Sequence, residues 1–142
     1  MQIILLILLV IFTSSAVAEW RKVSITPFDS IDYYADSATI RRSNDNATMW
    51  HVLNLRIEQS VGGKSYASVK VQSEYNCNSK RARLLSHSYH SGKMGSGDII
   101  YSADTTSNGS IVYSDDGIPD AWFSIREDSN DEALWKFACG KP

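Results

Sequence analysis

The chain has 142 residues, 43% of them hydrophobic, and its 14 lysines and arginines against 16 aspartates and glutamates leave a net charge of −2. That balance argues against a nucleic-acid binder, which usually carries a strong basic excess, and equally against a polybasic protein of the membrane surface.

The first eighteen residues read as a cleaved export signal. Ile3 to Phe12 is an unbroken apolar run, Thr13 to Ser15 is polar, and Ala16-Val17-Ala18 has the small-x-small pattern of a signal-peptidase site. The run is shorter than the roughly 20 residues that a membrane-spanning helix requires. No lysine or arginine precedes it, so the terminal amine alone supplies positive charge there. Cleavage leaves Glu19 first, and with no cysteine at the junction a lipid anchor is not expected. Residues 19–142 then form a single domain, long enough to bury a real core.

Trp20 to Ile25 reads as an extended segment broken at Pro27, and Ile31 to Asp36 as an aromatic strand. Ser43-Asn-Asp-Asn46 is a cluster of turn residues. Met49 to Ile57 is a clear strand, with Met49, His51, Leu53, Leu55 and Ile57 on one face and Asn54, Arg56 and Glu58 on the other. Trp50 and Val52 interrupt the polar side, so that face is expected to be partly covered. After a turn at Val61-Gly-Gly63 comes the central strand, Ser65 to Cys77. Ala67, Val69, Val71, Ser73, Tyr75 and Cys77 lie on one side of its two-residue period, and Ser68, Lys70, Gln72 and Glu74 on the other. Asn76, Asn78 and Ser79 turn the chain, and Lys80 to Tyr89 returns it.

The next region is soft. Ser91 to Gly97 and Asp104 to Ser110 read as loops, with short strands at Asp98 to Ser102 and Ile111 to Tyr113 and a last strand at Ala121 to Ile125. The period then changes. Ser129-Asn-Asp-Glu132 fits a capping box, Ala133, Leu134, Phe137 and Ala138 recur at helical spacing, and Gly140 supplies a stop.

Cys77 and Cys139 are the only two cysteines, and in an exported chain they are expected to pair. The bond closes a loop of about 60 residues, worth about 4 kcal/mol by restricting the unfolded chain. The residues thus give an α+β fold: a mainly antiparallel sheet of about six strands with a short C-terminal helix docked on one face and tied by the disulfide. A helix this short is marginal by itself in water.

Several elements taken together resemble the surface-adhesin protein E family of Gram-negative bacteria. They are Tyr33-Tyr-Ala-Asp-Ser-Ala-Thr-Ile40, Met49-Trp-His-Val-Leu53, Tyr66-Ala-Ser-Val-Lys70, Tyr75-Asn-Cys77, Ser86-His-Ser-Tyr89 and Ala133 to Cys139. The resemblance implies six antiparallel strands with the C-terminal helix fastened to the concave face by the disulfide. It also implies adhesion to host matrix and plasma proteins such as vitronectin and laminin. In the family a basic cluster precedes the Tyr-Ala-x-Ser element, and Lys64 stands at that place here.

Residue types that carry chemistry are sparse. His87 and His90 have a spacing seen in metal sites, with Asp98 nearby in sequence, but residues three apart on a strand face opposite ways. His51 alternates with apolar neighbours and reads as a core or edge histidine bonded to backbone. Asp115-Asp-Gly-Ile-Pro-Asp120 resembles a fragment of a calcium loop, short of the six to eight oxygens that calcium takes, and reads as a solvated turn. Asp29, Asp32 and Asp36 read as exposed carboxylates, and no serine sits in a Gly-x-Ser-x-Gly elbow. No catalytic residue, metal or cofactor is therefore expected.

Lys80, Arg81 and Arg83, with Lys64 and with Arg41 and Arg42 across the sheet, are the candidate contacts for an acidic protein partner. Tyr33, Tyr34 and Trp50 are candidate aromatic anchors. The sequence reads as an exported binding protein with a protein ligand. The alternative is a periplasmic inhibitor of a secreted hydrolase such as lysozyme. Unpaired edge strands offer a route to a homodimer.

Overall fold

The computed structural model describes residues 17–25, 30–104 and 122–142. Among these, eight strands form one antiparallel sheet: β1 (Trp20–Lys22), β2 (Ile31–Asp36), β3 (Arg41–Ser43), β4 (Asn46–Val61), β5 (Lys64–Asn76), β6 (Arg81–His90), β7 (Ile99–Asp104) and β8 (Phe123–Ser124). The spatial order is β1-β2-β4-β5-β6-β7. The two strands off this path extend it lengthwise. β3 follows β2 along the same edge of β4, and β8 lies beyond β7 along β6. Six lanes of sheet result, matching the expected architecture.

The long β4–β5 hairpin is the spine. Gly62 and Gly63, at φ 54° and 75°, form a two-residue turn of the kind whose twist matches a hairpin, and residues with a Cβ are disfavoured at such angles. β4 outruns its predicted span at both ends, because β5 supplies hydrogen-bonding partners from Asn46 to Val61. An irregularity between Asn54 and Gln59 bends the hairpin, and Leu85 bulges out of β6 between the pairs Gln72–Ser86 and Ser73–Leu84.

One face of the sheet carries α1 (Asn130–Cys139). Leu134 and Ala138 pack against Ala35, Ala47, Met49, Tyr75, Ala82 and Ile125 in a closed cluster. Ser129 caps the helix by accepting from the Glu132 amide at 3.1 Å. The capping box is only half formed, because the Glu132 carboxylate is instead held between Lys80 Nζ (2.5 Å) and Lys136 Nζ (2.9 Å). Gly140 ends the helix in the left-handed conformation, at φ 62°, where a Cβ would sit 2.9 Å from Arg42 Nη2. The Cys77–Cys139 disulfide fastens the last turn to the end of β5, with Cα atoms 5.5 Å apart.

The opposite face is closed by a segment that reads as a loop. Residues 91–98 fold back over β4 and β5 around the 3-10 turn Lys93–Gly95. The Ser68 hydroxyl donates to Gly92 O at 2.6 Å and accepts from the Gly95 amide at 2.9 Å. The Met94 amide donates to Asn54 Oδ1 at 3.0 Å, and Lys93 Nζ donates to Leu55 O. Val52 and Ser68 beneath are fully buried, which accounts for an apolar residue on the polar side of β4. The expected strand Ile111 to Tyr113, the Pro27 break and the leader through Ala16 lie outside the described residues.

Candidate functional site

The helix covers only one end of its face. Beyond it the side chains of β2, β4, β5 and β6 line an open groove of about 390 Å³. Leu53, Val69 and Val71 line it together with Tyr33, Tyr66 and Tyr89, while Phe123 and Asp131, in the first turn of α1, belong to its helix-side rim. Tyr66 stacks on Tyr89 at 4.7 Å between ring centroids, and Tyr89 meets Tyr101 at 5.6 Å.

Register places two histidines in this groove. Ala35, His51, Val71, His87 and Ala103 form one row across the sheet, so His51 and His87 flank Val71 on the same face. Two strand spacings separate their backbones by roughly 10 Å. His51 is buried, and desolvation lowers its pKa to about 3, leaving a neutral imidazole at physiological pH. Its Nδ1 is sealed from solvent and has no hydrogen-bond partner among the described residues. Asp131 keeps solvent on one side and is shielded by protein on the other. That shielding raises its carboxyl pKa against the pull of Arg126.

The other candidates fall elsewhere. His87 lies among Tyr89 and Tyr101 on the helix face, whereas His90 pairs with Ser68 on the outer face and shares a 2.7 Å hydrogen bond with Ser88 Oγ. The bulge at Leu85 precedes both and does not bring them together. Asp32 is bridged by Arg56 at 2.8 Å and Lys22 at 3.0 Å, which lowers its pKa to about 2. Asp36 accepts from the Glu19 and Ala38 amides, each at 3.1 Å, and is buried rather than exposed. Asp29 and the Asp115–Asp120 turn lie outside the described residues. No group of three or more metal-ligating side chains converges among the described residues.

Lys80, Arg81 and Arg83 gather at the β5–β6 hairpin, and Lys64 stands at the opposite end of β5. Lys80 joins Glu132 of the helix, an attraction that raises the Lys80 pKa and lowers that of Glu132. Arg81 donates to Trp122 O at 3.1 Å. Arg83 pairs with Glu74 at 2.6 Å and lies over the Trp122 ring at 4.9 Å. Arg42 donates to Ala138 O at 3.1 Å as a helix cap, and Arg41 binds the Ala38 and Ile40 carbonyls. Of the aromatic candidates, Tyr33 lines the groove, and Trp50 lies under Lys70 Nζ at 4.8 Å. The groove itself was beyond sequence reasoning. The alternation of Val69 and Val71 marks the face, but only cross-strand register brings Tyr89, His51 and His87 onto it.

The sequence profile of a family described as surface-adhesin protein E matches residues 20–140. Among curated proteins, none matches the sequence. Three solved structures of protein E share the fold. Haemophilus influenzae protein E is 17% identical, with a TM-score of 0.58, over 89% of this chain and 90% of that one. A second crystal form of the H. influenzae protein is 16% identical, with a TM-score of 0.57, over 88% of this chain and 97% of that one. Protein E from non-typeable H. influenzae is 16% identical, with a TM-score of 0.56, over 88% of this chain and 76% of that one.

Proposed function

This chain belongs to the surface-adhesin protein E family, and from that premise we propose that it is an exported, non-catalytic protein that recognises a protein ligand, specifically a host matrix or plasma protein. The observation that carries this reading is the family match across residues 20–140, nearly the whole of the proposed mature chain. Among the described residues, no helix is long and apolar enough to cross a membrane. In this proposal residues 1–18 are removed on export, no lipid is attached, and the mature domain acts in the periplasm, at the cell surface or in the medium.

The proposed contacts are cationic. Lys64 and Arg81 are exposed at opposite ends of the β5 lane, and Lys80 and Arg83 are half-buried beside Arg81. An acidic segment of a partner would meet Arg81 first, since Lys80 is engaged by Glu132 and Arg83 by Glu74.

The test is binding of purified vitronectin and laminin to immobilised residues 19–142, beside a control protein of equal net charge. Saturable binding that weakens with Lys64→Ala and Arg81→Ala supports the reading. Binding no greater than the control removes it. The same preparation titrated into lysozymes decides the inhibitor alternative, which falls if rates are unchanged.

A further inference from the structure

We propose that the groove beside α1 binds a small amine, with an apolar, ring-sized body seated on Leu53 and Val69 and an ammonium group directed to the Asp131 carboxylate. This goes beyond the protein-binding reading and does not depend on it.

The shape comes first. About 390 Å³ is within the range that holds small organic ligands, and the walls are apolar and aromatic with few polar atoms, as in most such sites. The sign of charge comes next. Among the described residues the lining holds one carboxylate, Asp131, and no lysine or arginine. Of the cations near the helix start, Lys80 and Lys136 are already bound to Glu132, and Arg126 acts on Asp131 from outside the lining. An anionic head would therefore face a carboxylate with no cation in the lining beside it, whereas an ammonium would gain a charge-assisted hydrogen bond. Finally, the His51 imidazole in the lining is neutral at physiological pH and so adds no positive charge to repel an ammonium.

The experiment is an NMR titration of the disulfide-intact mature protein with 2-phenylethylamine, 2-phenylethanol and 3-phenylpropionate, three probes of similar size that differ in charge. The amine is expected to saturate shifts at Leu53, Val69 and Tyr89, at about tenfold lower concentration than the alcohol, with the acid weakest. Asp131→Asn, at an exposed position on the rim, is expected to bring the amine down to the alcohol's affinity and leave the alcohol unchanged. Leu53→Trp, which fills the seat, is expected to abolish both. The proposal is overturned if no probe shifts these residues, if the acid binds as well as the amine, or if Asp131→Asn leaves the preference for the amine intact. Loss of vitronectin or laminin binding has no bearing on these outcomes.

Discussion

His51 shows how one residue ties burial to pH. Its imidazole is held neutral, with a pKa of about 3, because burial strips a charged ring of its hydration. An unfolded histidine titrates near 6.5. Below that value the unfolded chain takes up a proton that the folded chain refuses, so stability falls as pH drops toward 3. The contribution lost between pH 7 and pH 5 is about 2 kcal/mol. Urea denaturation at the two pH values measures it, and His51→Leu is expected to remove that part of the acid sensitivity. Ser68 makes the opposite point, a buried polar group that is fully used. It both donates to Gly92 O and accepts from the Gly95 amide. Ser68→Ala strands both backbone groups, at a cost of about 2 kcal/mol. Hydrogen exchange at Gly95 is expected to accelerate in that variant. If exchange there is unchanged, the covering segment is held by other contacts.

At the scale of elements, α1 is the piece that cannot stand alone. Its 10 residues are too few for an isolated helix in water, so it depends on its cap, its packing and its covalent tie. Ser129→Ala removes the oxygen that accepts the Glu132 amide and is expected to cost about 1 kcal/mol. Replacing both Cys77 and Cys139 by alanine removes a cross-link spanning 62 positions and is expected to cost about 4 kcal/mol in denaturant midpoint measurements. The larger loss is also expected to increase dye binding to the helix face, because Leu134 and Ala138 are what close that end of the sheet. A double variant as stable as the parent would mean that packing alone holds the helix. The cap was legible in Ser129-Asn-Asp-Glu132, but the fate of the Glu132 carboxylate was not. Lys80 reaches it from a turn 52 positions earlier in the chain, a pairing with no local signature.

Across the whole molecule, both faces of the sheet are partly covered, and by different means. A helix tied by a disulfide closes one end of one face, and residues 91–98 cover the middle of the other. Among the described residues, what stays open is the part of the helix face beyond the first turn of α1, lined by β2, β4, β5 and β6.

The long strands β2, β4, β5 and β6, the helix with its stop and the cross-link could be read from the residues alone, since two-residue and 3.6-residue periods, turn residues and a lone cysteine pair are local or countable features. Ile31 to Asp36 and the Gly62–Gly63 turn were read from a few residues because each obeys a local steric rule. Which strands neighbour which, and so which side chains share a row, came only with the folded sheet. His51, Val71 and His87 become neighbours through register, and Ser91 to Asp98 becomes a cover through hydrogen bonds to Ser68 and Asn54. Periodicity tells each strand which side of it is apolar, but it carries no information about how far one strand slides against the next.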